Sequence, residues 1–359
     1  MAITLSVLLK VMVQNKASDL HIRGNSLVFL RINGNITPIN GSEMSEAQVE
    51  EMVKPLFTDR LRKIYGEHHE VDFSYDGGEL GRFRFNIYRH KEKTGVTVRH
   101  IPLQIPTLEQ LRMPIESIKK LLENERGIIL VTGITGSGKS STLAAMIDYI
   151  NQRKSLHIIT IEDPIEFTFK EKRSIISQRE IGTDTNNFID ALRASLRQDP
   201  DIILVGEMRD LETVSAAITA AETGHLVFGT LHTLNAVQTV SRVIDMFPPH
   251  QQNQIRLQLS ESLKGVISQR LLPCMKGGRV PAVEILNVTP NIRKLIEESN
   301  SSGIVEAIEK GAYYGMQSFN QSLITLYNEG MADMDQVLAA ATNPDDVRLA
   351  IRGITQSNE

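Results

Sequence analysis

The sequence lacks several features, and each absence excludes a type of site or a class of protein. It contains a single cysteine, Cys274, among 359 residues, which excludes internal disulfides and any zinc site built from four cysteines and is typical of a reducing compartment. No stretch approaches the roughly 20 apolar residues that a membrane-spanning helix needs. The amino-terminal segment also lacks a basic leading region and a cleavage site, so we expect a cytoplasmic protein without zinc.

Tryptophan is absent and the charges nearly balance, with a formal net charge of −4. The chain shows neither an overall basic character nor a segment that combines aromatic and basic residues, the features by which proteins hold single-stranded nucleic acid. We therefore expect no direct nucleic-acid partner. A chain of 359 residues is long enough for two domains, each with its own core.

The first 100 residues predict a small α+β domain. A short amphipathic helix is followed by strands, a polar-faced helix over residues 45–65, and the alternating strand GRFRFNIYRHK, whose phenylalanines face one side and whose arginines face the other. The next segment, 101–114, carries Pro102, Pro106 and Pro114 and predicts a semi-extended interdomain linker.

Residues 115–359 predict an α/β domain. The apolar runs GIILVT, HIITIE, DIILVGE and HLVFGTLH each lie near a helical stretch, which is the pattern of a parallel sheet buried on both faces. A hairpin that turns at Gly277 and Gly278 follows, and a helical region completes the chain.

The segment GITGSGKSST, residues 133–142, follows one of these buried strands and precedes a predicted helix. It matches G-x-x-x-x-G-K-[ST], in which backbone N–H groups and the helix N-terminus hold phosphate oxygens. Lys139 is expected at the β and γ phosphates of ATP, and Ser140 is expected to ligate Mg²⁺. The candidate nucleotide-binding residues are Gly133, Thr135, Gly136, Ser137, Gly138, Lys139, Ser140 and Ser141.

The strand DIILVGE ends where many ATPases place an acidic pair. Here the first position is Gly206 and only Glu207 is acidic, so Glu207 is the leading candidate to orient or deprotonate the attacking water. A surface glutamate at a strand end is the alternative interpretation.

The segment IITIEDPIEF places Glu162, Asp163 and Glu166 at the end of another buried strand. Three carboxylates so close repel one another unless a cation or water lies among them. Beside a triphosphate loop they favour a Mg²⁺ and water shell, and a solvated acidic turn is the alternative.

Two histidines, His225 and His232, bracket one apolar strand. An odd spacing of seven directs them to opposite faces, which argues against a metal site formed by both. We expect at most one of them to contact the γ-phosphate, with His232 favoured; otherwise both are structural.

An ATPase with an incomplete acidic pair needs a further positive group for its transition state, and an arginine supplied from elsewhere is the usual solution. Arg82, Arg84 and Arg99 are the amino-terminal candidates, although a solvated basic strand face also explains them. Arg193 and Arg197, predicted one turn apart on a helix, are further candidates.

Together these segments resemble the superfamily of hexameric secretion ATPases that drive type IV pili, type II secretion and archaeal flagella. GITGSGKSST resembles its Walker A loop, ITIEDPIEF its acidic box, DIILVGEMRD its Walker B strand, and TGHLVFGTLHT its histidine box, while SDLHI and GRFRFN resemble its PAS-like domain. The segment NIRKLIEE, residues 291–298, is similar to the AIRNLIRE motif of the retraction ATPases in this superfamily.

The resemblance implies a RecA-like ATPase domain preceded by a PAS-like domain and followed by C-terminal helices. It also implies a homohexameric ring that hydrolyses ATP with Mg²⁺ to withdraw pilin during twitching motility. Such a ring is peripheral at the inner face of the inner membrane, where it acts on a pilus platform protein.

Other functions remain open at this point. An extension or type II secretion motor shares every catalytic motif, and a RecA-like nucleic-acid motor or a scaffold that binds nucleotide without turnover also carries a phosphate-binding loop. The charge balance disfavours the nucleic-acid motor, and Glu207 with the acidic box disfavours the scaffold.

Overall fold

The computed structural model describes residues 4–32, 34–39, 41, 43–101 and 104–353. The chain divides into two compact units, one formed by Met1–Gln104 with Glu166–Thr168 and the other by Ile105–Ile165 with Phe169–Glu359. The division therefore falls inside the segment predicted to be a linker, and Pro102 of that segment lies outside the described residues.

The first unit is an α+β fold built on a six-stranded sheet of order β3-β2-β1-β6-β5-β4. All of its strand pairs are antiparallel. Its strands are β1 Asp19–Arg23, β2 Phe29–Ile32, β3 Asn35–Pro38, β4 Glu70–Asp76, β5 Arg82–His90 and β6 Lys93–Ile101. Its helices are α1 Leu5–Gln14, α2 Glu46–Val53 and α3 Asp59–His68.

The alternation predicted for β5 is present in the structure. Phe83, Phe85 and Ile87 are fully buried in the core of the first unit, whereas Arg82 and Arg84 are only half-buried. A period of two places these sets on opposite faces of the sheet.

The single helix predicted over residues 45–65 is wrong, because two helices occupy this region. Pro55 lies in a 3₁₀ turn over Lys54–Leu56 that ends α2, as expected for a residue that cannot donate a backbone hydrogen bond. Thr58 then caps α3 by accepting a hydrogen bond from the backbone of Leu61.

The second unit contains a seven-stranded sheet of order β13-β12-β7-β11-β10-β8-β9. Its strands are β7 Gly127–Thr132, β8 His157–Glu162, β9 Ile175–Glu180, β10 Ile202–Val205, β11 Leu226–Leu231, β12 Leu263–Pro273 and β13 Arg279–Asn287. All neighbouring pairs are parallel except the β12–β13 hairpin. This confirms the predicted α/β architecture and the predicted hairpin, and it adds the edge strand β9, which the sequence analysis missed.

Helices cover both faces of this sheet. Alternate residues of β7 enter different cores, with Ile128 and Leu130 in one and Ile129 and Val131 in the other. Every residue of β7 is buried, which explains why the strand reads as a continuous apolar run. The helices of the sheet region are α4 Ile115–Leu122, α5 Lys139–Asn151, α6 Phe188–Ser195, α7 Leu211–Glu222, α8 Ala236–Asp245 and α9 Pro249–Ser262.

The segment after residue 104 is packed rather than semi-extended. Leu108 and Met113 are buried in the core that also contains Ile129 and Val131. Leu108 and Met113 therefore belong to the core of the second unit.

The C-terminal region is helical, as predicted. It comprises α10 Pro290–Glu297, α11 Ser301–Lys310, α12 Phe319–Asn328, α13 Met334–Ala340 and α14 Pro344–Ile351. The last three helices form a separate small core against the hairpin, centred on Phe319, Leu323 and Val337. Across the described ranges, no helix is both long and apolar enough to span a bilayer.

Candidate active site

Four neighbouring parallel strands end at one edge of the sheet in the second unit. β11 lies between β7 and β10, and β10 lies between β11 and β8. Because the carboxyl ends of parallel strands meet at the same edge, the segments that follow these strands come together there. The phosphate-binding motif, Glu207, His232 and Asp163 each follow one of the four strands.

The phosphate-binding motif forms a tight loop between β7 and α5. Lys139 Nζ donates hydrogen bonds to the carbonyl oxygens of Gly133 at 2.9 Å and Ile134 at 3.0 Å, so the ammonium group lies inside the curve of the loop. Ser137 Oγ is buried and has no hydrogen-bond partner among the described residues. A buried hydroxyl and an ammonium group inside one loop fit a ligand with several anionic oxygens.

Two glycines make this loop possible. Gly133 has φ 144°, and a Cβ at this position would lie 2.5 Å from both Ser137 Oγ and the carbonyl oxygen of Gln269 on β12. Gly138 has φ 94° and begins α5 without a side-chain cap. The first-turn N–H groups of α5 are therefore left for a ligand, whereas α6, α7 and α8 are capped by Asn187, Asp210 and Asn235.

The residues of the motif differ in their exposure. Thr135 and Gly136 are exposed, while Ser140 and Ser141 are half-buried in the first turn of α5. Thr142 accepts a hydrogen bond at 2.8 Å from Gln269 Nε2. Gln269 thus holds the start of α5, a role that sequence analysis missed because it depends on the pairing of β12 with β7.

Glu207 lies at the centre of the site with both carboxylate oxygens engaged. Oε2 lies 2.6 Å from Nη2 of Arg209, and Oε1 lies 3.1 Å from Nε2 of His232. Burial acts to raise the pKa of Glu207, but the hydrogen bond and charge of Arg209, with His232 and Lys139, outweigh burial and lower it. Glu207 is therefore an ionised acceptor beside the phosphate loop.

Arg209 is the contact of Glu207 that sequence analysis missed most clearly. It follows Glu207 by two residues, and its own pKa is raised mainly by the hydrogen bond to Glu207 and less by the charge of Asp163. A basic residue two positions after the acidic residue at the strand end was the available signal.

The two histidines lie at opposite ends of β11. His232 contacts Glu207, whereas His225 precedes β11, level with the start of β7, and its Nδ1 lies 2.9 Å from the carbonyl oxygen of Ala220. Six residues of strand separate them, about 20 Å. The structure thus brings His232 to the candidate site and places His225 at the amino-terminal ends of the strands, opposite the candidate site.

The acidic box is split between the two units. Glu162 accepts hydrogen bonds from Thr160 Oγ1 at 2.7 Å and from Gln178 Nε2 at 3.3 Å. Asp163 follows in the same unit, but Glu166 groups with the first unit. No group of three or more His, Cys, Asp or Glu side chains suited to hold a metal ion occurs within the described ranges. The Mg²⁺ and water shell stays a prediction.

The arginine candidates do not gather beside Glu207 within the second unit. Arg82, Arg84 and Arg99 all belong to the first unit; Arg84 Nε lies 3.4 Å from Asp72 Oδ1, and Arg99 Nε lies 2.9 Å from Asp19 Oδ1. Of the two further candidates, Arg193 lies on α6, but the helix ends at Ser195. The prediction that Arg197 lies on this helix is therefore wrong, and Arg197 N bonds to Ala194 O in the turn that follows.

The segment NIRKLIEE coincides with α10. Ile292 and Ile296 are buried in a core of the second unit. Glu297 accepts a hydrogen bond from Ser260 Oγ on α9 at 3.0 Å. These contacts fix α10 against α9 through one face.

Comparisons with known proteins identify relatives that match nearly the whole chain. The type IV pilus retraction ATPase PilT of Pseudomonas aeruginosa is 46% identical over 92% of this chain and 96% of its own length. A twitching motility protein of Neisseria gonorrhoeae is also 46% identical, over 89% of this chain and 85% of its own. A crystal structure of the pilus retraction motor PilT with bound ADP matches with a TM-score of 0.90 and 44% identity, over 96% of this chain and 98% of that one.

The family described as type II/IV secretion system protein matches residues 93–339. This span contains the phosphate loop, the acidic box, Glu207 and both histidines. The superfamily inferred from the sequence motifs is thereby confirmed. The chain belongs to the type II/IV secretion system protein family.

Proposed function

We propose that this chain is an ATPase that powers the retraction of type IV pili. The observation that carries the proposal is the arrangement at the sheet edge, where Glu207 lies beside the phosphate loop in a chain similar to PilT along nearly its whole length.

The loop from Gly133 to Ser140 would hold the triphosphate. Lys139 would exchange its two carbonyl partners for phosphate oxygens, and the uncapped N-terminus of α5 would add its N–H groups and dipole. Ser140, half-buried in the first turn, would ligate Mg²⁺, an ion that neutralises charge on the phosphates when it is bound.

Glu207 would orient the attacking water and accept its proton. Each carboxylate oxygen carries two lone pairs, so Glu207 can accept a hydrogen bond from water while it keeps both of its partners. Arg209, with 68% of its side chain exposed, would stay on one oxygen. His232 would remain on the other oxygen and keep the carboxylate oriented.

We infer that the active form is a homohexameric ring in which an arginine from another chain completes the site. Arg84 is the leading candidate, with Arg82 and Arg99 as alternatives, and the contribution of such a group is about 10³–10⁵ in rate. Arg84→Ala should reduce hydrolysis strongly in a folded ring. Mixing it with Lys139→Ala chains should restore part of the activity, because some interfaces then combine an intact loop with an intact arginine.

An Arg84→Ala ring with normal turnover would remove Arg84 from the mechanism. The same mixing test applied to Arg82→Ala and Arg99→Ala identifies which arginine acts between chains. Arg89→Gln is a matched control, because Arg89 lies on the same strand and is exposed.

The direction in which the proposed motor drives the pilus is tested in cells. We propose that the ring works in the cytoplasm at the inner face of the inner membrane, on a pilus platform protein. Deletion of the gene should leave excess surface pili and abolish twitching. Cells without pili would instead identify the chain as an extension motor, and stimulation of the purified ATPase by single-stranded DNA would support a nucleic-acid motor.

A further inference from the structure

The sheet of the first unit contains a cavity on the face opposite its core. Leu20 and Ile22 of β1 are fully buried in that core, so the intervening residue His21 and its neighbour Arg23 face the other way. The cavity has a volume of about 240 Å³ and is lined by His21, Arg23, Phe29, Arg31, Ile36 and Tyr88.

Positive charge is in excess around this cavity. Asp19 pairs across the sheet with Arg31 on one side and Arg99 on the other. Its carboxylate lies 3.8 Å from Arg31 Nε and 2.9 Å from Arg99 Nε. Arg23 forms no ion pair with a carboxylate in the described ranges, and its guanidinium carbon lies 6.0 Å from the centre of the Phe29 ring. One carboxylate therefore faces three guanidinium groups.

His21 contributes a polar atom with no partner. Its Nε2 is buried and has no hydrogen-bond partner among the described residues, while Nδ1 lies 3.4 Å from Thr97 Oγ1 on β6. Burial lowers the pKa of His21; Asp19 opposes this, and Arg31, Arg23 and Arg99 lower it further. The ring is therefore neutral near pH 7, and an unpaired buried polar atom costs stability unless a ligand supplies its partner.

The remaining walls are apolar. Phe29 and Tyr88 present rings, and Ile36 is 47% exposed at the edge of the sheet. We propose that this cavity binds a small organic oxyanion, a phosphate group carried on a flat apolar ring, with the phosphate between Arg23, Arg31 and His21 and the ring against Phe29 and Tyr88. The residues of this site belong to the first unit and those of the phosphate loop to the second, and the proposal goes beyond the proposed ATPase function.

Each part of the proposed ligand matches a feature of the cavity. A dianionic phosphate offsets the two uncompensated guanidinium charges and accepts a hydrogen bond from His21 Nε2–H. A cavity of this size holds one ring but not a complete nucleotide. Binding should also raise the pKa of His21, because a negative charge beside an imidazole favours its protonated form.

Phenyl phosphate is the probe, added to the full-length protein with the phosphate loop saturated by ADP. Calorimetry measures its affinity, and hydrogen–deuterium exchange at the imidazole C2 position, read by mass spectrometry, gives the pKa of His21. We expect phenyl phosphate to bind at neutral pH and to raise the pKa of His21. Inorganic phosphate should bind more weakly, since it does not contact the rings, and phenol should not bind.

Arg23→Gln should weaken binding of phenyl phosphate at least tenfold, since a hydrogen bond to a charged group contributes about 1.5–3 kcal/mol. Arg89→Gln, an exposed arginine outside the cavity, should bind as wild type does. An unchanged pKa of His21 at saturating phenyl phosphate would overturn the proposal, and so would equal affinity in the folded Arg23→Gln protein. Binding of phenol as tight as that of phenyl phosphate would overturn the anionic part of the assignment.

Discussion

Replacement of Glu207 by glutamine tests the catalytic site most directly. The amide keeps the size of the side chain and one hydrogen-bond acceptor but cannot accept the proton of the attacking water. The loop contacts of Lys139 with Gly133 and Ile134 do not involve Glu207. We therefore expect nucleotide affinity to stay near the wild-type value while kcat falls by about 10²–10⁴, the usual contribution of a general base.

The same substitution should change stability only slightly. The amide oxygen can keep Arg209, and His232 can accept from the amide NH₂ by using its other tautomer. Since 68% of the Arg209 side chain is exposed, its ion pair with Glu207 contributes about 0–1 kcal/mol to the free energy of unfolding. For a domain of this size the expected decrease in Tm is therefore about 4 °C or less.

Two assays separate these effects. Phosphate release at saturating ATP gives kcat, and binding of a non-hydrolysable ATP analogue gives affinity. Glu180→Gln is a suitable control, because Glu180 is 3% exposed and accepts a hydrogen bond from the backbone of Ile165 at 3.2 Å; it should lower Tm more than it lowers kcat. If Glu207→Gln weakens analogue binding as much as it slows turnover, or leaves kcat within threefold of wild type, the assignment of Glu207 as the base is wrong.

Three further substitutions test neighbouring parts of the site. Lys139→Ala should abolish turnover and weaken binding of the ATP analogue, because the triphosphate loses its fixed positive contact; near wild-type hydrolysis would remove the loop from the mechanism. His232→Gln should lower kcat, whereas His225→Gln should lower only Tm, since it lies about 20 Å along the strand; equal kinetic losses in both would contradict this separation. Arg209→Gln removes a group that lowers the pKa of Glu207 from its ordinary value of 4.5, so the acidic limb of the kcat/KM profile should move to higher pH. The stability contributed by this pair, present above pH 4.5 and lost as the pH falls through the lowered pKa, should also be absent in that variant; an unchanged pH profile would mean that Arg209 does not act on Glu207.

The parts of the fold that position the active site are predictable from sequence for a physical reason. β7 and β11 are buried along their whole length, so each appears as an unbroken apolar run, and the parallel arrangement follows from the helices between them. The motif between β7 and α5 then places a phosphate loop at the carboxyl edge. Glu207 and His232 follow from the same rule, because residues that succeed parallel strands meet at one edge.

Other elements gave weaker signals. β9 is an edge strand with an exposed Ile175, 62% accessible, and its polar residues hide the strand pattern. The sequence analysis did not take Pro55 as the end of a helix and therefore predicted one helix over residues 45–65. In the predicted linker, the prolines suggested an extended segment, although Leu108 and Met113 already provided apolar contacts for a core.

Contacts between side chains that are distant in the sequence could be identified only in the structure. Gln269 reaches the start of α5 only because β12 pairs with β7 in a register with an irregularity between Leu263 and Gly265. Arg209 could have pointed to solvent, and its contact with Glu207 depends on a rotamer choice that sequence spacing does not determine. These contacts orient the groups that the motifs identify.

Gly206 illustrates how the structure changes the meaning of a sequence feature. From the sequence it is the loss of an acidic residue that could anchor Mg²⁺. In the structure, a Cβ at this position would lie 3.0 Å from the carbonyl oxygen of Ile161 and 3.3 Å from Cα of Glu162, because the ends of β8 and β10 approach closely there. A residue with a Cβ would need its neighbours to shift slightly, and the carboxylate at this strand end is that of the next residue, Glu207, which lies between Arg209 and His232. The close approach of β8 therefore gives a steric reason for glycine at this position.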